Sequence, residues 1–298
     1  MLRQNTPKRG RRRLRRPTAR LCRDAPPMTA RHAIAAAARD LADTSPTPRL
    51  DAELLMAHAM RTSREALLFA HLDDPAPAAY AALVARRLAH EPIAYITGSR
   101  AFWTIDLAVG PGVLVPRADS ETLIEAAIDH FGAAPPRTIL DLGTGPGTLL
   151  LATLDHWRDA TGLGVDASPL ALDYARRNAG NLGMATRATF RLGDWAADVT
   201  GRFDLILANP PYIGTDERLP REVRDHEPGA ALFAGADGLD DYRRIVPQLR
   251  ALLAPEGAAI LEIGATQADA VSELLDAAGF TVALRRDLAG HARAVITT

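Results

Sequence analysis

The sequence predicts an α/β protein with a Rossmann-like, seven-stranded, mostly parallel sheet that carries helices on both faces. Two observations lead to this fold class. From about residue 138 onwards, seven short apolar runs occur, most of them separated by segments of helical periodicity, as in βαβ units. Before residue 92 the periodicity is helical throughout, so we expect a small N-terminal helical bundle, joined to the sheet by a β-hairpin linker.

Length and composition are those of a globular chain with a large and a small domain. The 298 residues are 47% hydrophobic and 24% charged, and no apolar run is long enough to span a bilayer. The chain does not start with the charged-then-apolar pattern of a secretory leader. Its single cysteine, Cys22, can form no internal disulfide, which favours a reducing compartment. We therefore expect a cytoplasmic protein with no membrane partner.

Charge is distributed unevenly along the chain. Residues 1–27 contain ten Lys or Arg and one acid, a net charge of +9, so the remainder carries −10 of the total of −1. This basic extension has no apolar periodicity and is predicted to be disordered. Two interpretations are open: an RNA- or ribosome-binding arm, or an over-extended start with Met28 as the working first residue. The acidic remainder argues against a nucleic-acid substrate.

Residues 28–91 predict a helical substrate-recognition domain. Thr47 is placed as an N-cap, with Pro48 at the first helical position. Ser63 is placed to cap a short helix, and residues 76–90 carry apolar side chains at helical spacing. Short helices of this kind form a bundle rather than a catalytic site.

A β-hairpin linker is expected over residues 92–115, followed by the catalytic domain over residues 116–298. Glycines within the linker supply its turns. Ser120 or Asp119 is placed to cap a helix that runs to about residue 131. Arg117 stands at the start of that helix, where it either points into a cleft or forms a capping salt bridge.

The first predicted strand of the sheet, residues 138–142, leads directly into a glycine-rich turn and a helix over residues 148–157. Glycine allows the backbone to turn sharply and to approach a ligand closely. A dinucleotide-binding fingerprint needs glycine at its sixth position, where this chain has Thr148. The turn therefore favours a different nucleoside ligand and comprises Gly143, Thr144, Gly145, Pro146 and Gly147.

Acidic residues follow the next two predicted strands. Asp166 ends the second strand, where a carboxylate can bind both hydroxyls of a ribose, although it could instead cap the helix over residues 168–178. Asp194 and Trp195 follow the third strand. There the carboxylate is placed to accept from an adenine amine, and the indole to cover the ring.

The fourth strand ends in Asn209, Pro210, Pro211 and Tyr212. The prolines cannot continue a strand ladder, so backbone carbonyls are left free at its end. The Asn209 side-chain oxygen and the Pro210 carbonyl can accept the two hydrogens of a planar –NH₂ group while Tyr212 packs on its flat face. The alternative interpretation is a simple strand-breaking turn.

Residues 213–240 predict a polar loop long enough to act as a lid or substrate clamp. His226 and His291 have no metal-like spacing, so no metal site is expected. The remaining helices and strands are predicted over residues 242–253, 257–263, 266–278, 280–286 and 292–297.

These motifs resemble the protein N5-glutamine methyltransferases within the class I S-adenosylmethionine-dependent methyltransferases, most closely those that modify peptide chain release factors. The resemblance covers about residues 28–298. The motif Asn-Pro-Pro-Tyr alone is shared with adenine-N6 methyltransferases, and the segments before residue 118 indicate the glutamine branch. The similar segments are His90–Gly98, Phe102-Trp103, Pro111–Arg117, Asp141–Gly145, Asn209–Ile213, Glu227-Pro228, Asp237–Leu239 and Tyr242-Arg243.

The resemblance implies S-adenosylmethionine as cofactor and assigns roles to the residues above. The glycine-rich turn would line the methionine part, Asp166 the ribose, and Asp194 and Trp195 the adenine region. Asn209 would hold the glutamine amide, with Pro210, Pro211 and Tyr212 completing the pocket and Arg117 contacting substrate. Two positions depart from the pattern: Pro146 replaces a small hydroxyl residue, and Ala118 replaces a proline.

The function implied is methylation of the glutamine in the Gly-Gly-Gln motif of class I release factors. Methylation of a glutamine on a ribosomal protein would use the same chemistry. Adenine-N6 methylation of nucleic acid predicts a basic, salt-sensitive cleft, which the acidic remainder disfavours. A further alternative is a binding or assembly protein that retains the fold without catalysis. Such a protein would bind the cofactor but would transfer no methyl group.

Overall fold

The described chain begins with a bundle of short helices. The computed structural model describes residues 28–298, so the predicted basic extension over residues 1–27 lies outside the described residues. Small residues let the first helices approach closely, and Ala33, Ile34 and Leu55 are buried between them. The helices are α1 (Ala30–Asp40), α2 (Pro48–Met60), α3 (Arg64–Ala66), which continues as a wider turn over Leu67–His71, and α4 (Tyr80–Leu88).

The two predicted caps of the bundle have different outcomes. The Ser63 hydroxyl accepts a hydrogen bond from the Ala66 backbone N–H at 3.1 Å, which confirms it as a cap. Thr47 stands at the predicted N-cap position with Pro48 directly after it, but its hydroxyl makes no cap bond and donates to Asp51 instead.

The segment predicted as a hairpin linker contains a helix as well. The hairpin itself is present as β1 (Ser99–Phe102) and β2 (Ile105–Ala108), which pair antiparallel. Residues 93–97, however, form α5 (Ile93–Thr97). This helix faces two cores, because Tyr95 packs with the sheet domain and Ile96 packs with the bundle. The prediction of a hairpin was therefore wrong over α5. Its apolar residues pack against two different cores, so they lack the spacing of a helix that buries a single face.

The larger part of the chain is a seven-stranded sheet in the order β5-β4-β3-β6-β7-β9-β8. Strands β3 to β7 run parallel, and β9 is antiparallel to both of its neighbours. The predicted fold class is therefore confirmed. The strands are β3 (Thr138–Leu142), β4 (Thr161–Asp166), β5 (Ala188–Leu192), β6 (Phe203–Ala208), β7 (Leu253–Glu262), β8 (Val282–Arg286) and β9 (Ala292–Thr297).

Helices cover both faces of the sheet because successive strand residues point to opposite sides. Ile139 packs with α6, α7 and α8, whereas Leu140 packs with α10 and α11. The helices are α6 (Glu121–Phe131), α7 (Thr148–His156), α8 (Pro169–Asn181), α9 (Arg221–His226), α10 (Asp240–Leu252) and α11 (Ala268–Ala277).

Residues 213–240 are only partly the loop that the sequence predicts. They contain α9 and a short helical turn over Gly229–Ala231. Helix α9 has no buried residue, so it lacks the apolar periodicity by which a helix is detected. Within residues 28–298, no helix is both long and apolar enough to cross a membrane.

The bundle is attached to α9 through Arg87. This residue is 3% exposed, and its guanidinium pairs with Asp51 at 2.7 Å and with Glu222 of α9 at 2.8 Å. The His226 ring also lies 3.3 Å from the Ala89 carbonyl. A polar helix that buries nothing of its own is thus held by partners in the bundle.

Candidate functional site

A cleft of about 390 Å³ lies at the carboxyl ends of the parallel strands. Strand β3 pairs with β4 on one side and with β6 on the other, so the residues that follow these three strands converge on the cleft. Ligands bind at this end of doubly wound sheets. The predicted site residues that line it are Arg117, Gly143, Thr144, Gly145, Pro146, Asp166, Asp194, Trp195, Asn209 and Pro211. Gly147, Pro210 and Tyr212, also predicted as site residues, do not line it.

The glycine-rich turn forms the floor of the cleft. Gly143, Gly145 and Gly147 have φ values of 71°, 56° and 88°, which disfavour other residues. A side chain at Gly143 would also meet the Trp195 ring at 3.0 Å. The Pro146 carbonyl accepts a hydrogen bond from the buried Asn178 side chain, so this departure from the family pattern is fixed in place.

Asp166 holds the turn against the end of β4. Its carboxylate accepts hydrogen bonds from the backbone N–H groups of Gly145 (2.7 Å) and Ser168 (2.8 Å). Burial raises its pKa, and these N–H groups act in the opposite direction. The cap of α8 is Ser168, whose hydroxyl accepts from Ala171. Asp166 therefore does not serve as the helix cap, and its carboxylate lines the cleft.

Asp141 is a candidate site residue to which the sequence patterns gave no role. It lies one residue before the end of β3 and is 1% exposed. Its Oδ2 accepts from the Thr144 hydroxyl at 2.6 Å and from the Leu150 N–H, whereas its Oδ1 has no partner among the described residues. Burial raises the pKa of Asp141 to about 7. A buried, unpaired carboxylate oxygen beside a cleft is suited to a cationic ligand group.

Asp194 and Trp195 lie at the rim of the cleft and are held by α10. Both carboxylate oxygens of Asp194 accept from Arg244, and the Trp195 indole N–H donates to Asp241 at 3.0 Å. Trp195 has a φ of 50°, in the left-handed region that is uncommon for a large residue. The indole therefore has a fixed orientation next to Gly143.

Asn209 follows β6 and is half-buried in the cleft wall. Its Nδ2 donates to the Ser120 hydroxyl at 3.2 Å. The carboxamide oxygen is therefore the part of Asn209 left to accept from a ligand. Pro210 and Pro211 are buried directly after it, and within residues 28–298 no group donates a hydrogen bond to the Pro210 carbonyl.

Behind Asn209 lies a buried carboxylate, Glu262, at the end of β7. The Ser120 hydroxyl donates to its Oε2 at 2.5 Å, and the Tyr212 hydroxyl lies 3.5 Å from its Oε1. Burial raises the pKa of Glu262 to about 7 and that of Tyr212 to about 12. Ser120 stands at the predicted N-cap position of α6, but its hydroxyl makes no cap bond and donates to Glu262 instead.

Arg117 forms an ion pair with Glu227, whose side chain is fully buried. The Glu227 carboxylate also accepts from the Val115 N–H at 3.1 Å. Arg117 is neither buried nor a helix cap; about a third of its side chain is exposed at the cleft.

The sequence patterns did not identify Asp141, Ser120, Glu227 and Glu262 as site residues. Asp141 and Glu262 share one detectable signal, an acid at the end of a buried strand. Across the described part of the chain, no three His, Cys, Asp or Glu side chains are grouped to hold a metal ion.

Comparisons with known proteins cover both parts of the chain. A family model described as the PrmC N-terminal domain matches residues 32–98, and one described as the methyltransferase small domain matches residues 117–221. A release factor glutamine methyltransferase of Rhodospirillum rubrum is 46% identical over 84% of this chain and 78% of its own length. That of Cereibacter sphaeroides is 46% identical over 82% and 89%. That of Xylella fastidiosa is 42% identical over 86% and 94%.

Proposed function

This chain belongs to the release factor glutamine methyltransferases, and we propose that it uses S-adenosylmethionine to methylate the side-chain amide nitrogen of a release-factor glutamine. The proposed acceptor is the glutamine of the Gly-Gly-Gln motif of class I peptide chain release factors. The observation that carries the proposal is the position of Asn209 beside the glycine-rich turn. A Cβ built on Gly143 would lie 4.0 Å from the Asn209 backbone oxygen.

The residues of the cleft fit the proposed cofactor. The unpaired Oδ1 of Asp141 would accept from its ammonium group, and the turn from Gly143 to Pro146 would line its methionine part. Asp166 would bind the ribose, and Trp195 and Asp194 would border the adenine. When bound, S-adenosylmethionine supplies a methyl group on a positively charged sulfur that is itself a good leaving group.

Asn209 and Pro210 would hold the acceptor amide. The Asn209 side-chain oxygen accepts one N–H and the Pro210 carbonyl accepts the other, so the nitrogen is fixed and its weak lone pair faces the cleft. Pro211 and Tyr212 complete the pocket around the flat amide. The proton that the methylated nitrogen must lose is strongly acidic and passes to water, so positioning is the main task of the protein.

Parts of the chain outside the amide pocket would bind the rest of the release factor. Arg117, which Glu227 holds at the cleft, would contact the substrate loop. The helical bundle, attached to the cleft wall through Arg87, would bind a more distant surface. A substrate that acts in translation implies a cytoplasmic setting.

The test is methyl transfer from labelled S-adenosylmethionine to a purified class I release factor. A factor with the motif glutamine changed to alanine is the matched control. We expect label on the first and none on the second. Equal labelling of both would contradict the assigned acceptor, and labelling of neither would contradict the substrate. In that case a ribosomal protein is the next acceptor to test.

A further inference from the structure

We infer that Glu262, acting through Ser120, is a positioning residue that fixes the orientation of the Asn209 carboxamide. This inference rests on the proposed function, because it concerns the pocket that would hold the acceptor amide. The three side chains form one chain of hydrogen bonds, with Asn209 Nδ2 donating to Ser120 and Ser120 donating to Glu262. They come from segments 89 and 142 residues apart.

Counting hydrogens explains why the orientation is fixed. An ionised carboxylate only accepts hydrogen bonds, so the single hydrogen of the Ser120 hydroxyl points to Glu262. Ser120 can then only accept from Asn209, and the Asn209 group that faces it must be the –NH₂. The carboxamide oxygen is thereby directed away from Ser120, where the acceptor amide needs a hydrogen-bond acceptor.

The groups around Glu262 determine how readily its carboxyl group ionises. Its side chain is fully buried, and Arg293 favours the ionised form whereas Asp119 disfavours it. The Tyr212 hydroxyl also faces the carboxylate, and the Tyr242 hydroxyl donates to the Glu262 backbone carbonyl. The network therefore joins two residues of the Asn-Pro-Pro-Tyr motif to one carboxylate.

A protonated Glu262 removes the constraint. The neutral acid can donate to Ser120, whose own hydrogen is then free to donate to the Asn209 oxygen. The carboxamide can flip and present its –NH₂ to the acceptor amide, so that two donors face each other. The catalytic rate should therefore fall on the acid side with the titration of Glu262.

Four variants separate positioning from folding. Ser120→Ala removes the link, Ser120→Thr keeps the hydroxyl, and Glu262→Gln is a neutral isostere that allows both orientations. Thr104→Val is the matched control, because it also removes one hydroxyl hydrogen bond but lies in the hairpin, outside both the cleft and the bundle. We expect kcat to fall about 10- to 100-fold in Ser120→Ala, the usual scale for groups that orient others, with cofactor affinity unchanged. Glu262→Gln should lose the acid limb of the kcat–pH profile, and Ser120→Thr should retain activity.

A substrate-free measurement keeps this inference distinct from the proposed function. The side-chain amide resonances of Asn209, identified by their loss in Asn209→Asp, should shift with pH in the wild-type chain. They should not titrate in Glu262→Gln or Ser120→Ala. If Asn209 resonances titrate alike in all three proteins, or Ser120→Ala keeps a wild-type kcat, the positioning role is overturned. If the wild-type enzyme labels no release factor while the resonances behave as expected, only the substrate assignment fails.

Discussion

Arg117 and Glu227 form an ion pair beside the cleft, although 110 residues separate them in the chain. The carboxylate is fully buried, and it also accepts a backbone hydrogen bond from Val115. The Glu227 carboxylate therefore ties the segment before α6 to the segment after α9 through two contacts, the ion pair with Arg117 and the hydrogen bond from Val115.

Removing Arg117 should weaken the fold as well as substrate binding. Arg117→Ala leaves the buried Glu227 carboxylate with only its backbone partner, and we expect the free energy of unfolding to fall by about 1.5–3 kcal/mol. Denaturant unfolding measures the change. Arg117→Ala combined with Glu227→Gln removes the unpaired charge and should recover part of the loss. If Arg117→Ala alone is as stable as the wild-type protein, the ion pair contributes nothing to the free energy of unfolding.

Asn209→Ala should abolish most turnover while leaving the cofactor cleft intact. The change removes the only side-chain acceptor proposed for the amide, and we expect a loss of at least about 100-fold, the scale for one oriented polar group in an active site. Single-turnover transfer to a release factor measures the rate, and calorimetry measures cofactor affinity. Near-normal turnover would contradict the role assigned to Asn209.

Asp141→Asn should weaken cofactor binding by removing the charge that faces the ammonium group. We expect a loss of about 1.5–3 kcal/mol in binding free energy, the range for hydrogen bonds to charged groups. Since the pKa of Asp141 is raised to about 7, wild-type affinity should rise as pH increases through that value. Calorimetry of the variant should show no such step. Methylthioadenosine, which has no ammonium group, should bind both proteins equally.

The buried carboxyls should make the fold less stable as pH rises towards neutrality. The pKa of Glu262 is raised from 4.5 to about 7, so between these values the folded chain keeps a proton that the unfolded chain has released. The free energy of unfolding therefore falls with rising pH, by a few kcal/mol at most for this group. Denaturant unfolding over this range should show a flatter dependence in Glu262→Gln. An unchanged slope would indicate that Glu262 titrates normally.

The sequence predicts the sheet well because local patterns encode it. Strands β3 and β5 have the predicted bounds, since each is a short run that is followed directly by a glycine, Gly143 and Gly193. Helix α5 was missed because Tyr95 and Ile96 face different cores, and α9 because it buries nothing. A local apolar pattern detects an element that buries one face against one core. It does not detect an element that packs against two cores, as α5 does, or one that buries no residue, as α9 does.

The lining of the cleft could be predicted where its residues follow the ends of neighbouring strands. Asp166 and Asn209 were found in this way, because the order of strands along the chain places them at one edge. The contact between Ser120 and Glu262 spans 142 residues and joins a helix start to a strand end. No local pattern carries that pairing, which is why Ser120 was interpreted as a helix cap.

The ion pair between Arg87 and Glu222 limits how this protein can be recombined. Arg87 is buried and also pairs with Asp51, so a foreign bundle grafted onto this sheet would have to supply a matching guanidinium at the same place. In a chimera without that guanidinium, Glu222 of α9 would lose its ion pair with Arg87. Helix α9 directly precedes Glu227, so the loss would occur next to the ion pair at the cleft. A breakpoint between the bundle and the sheet would therefore separate Arg87 from Glu222 and leave each charge without this partner.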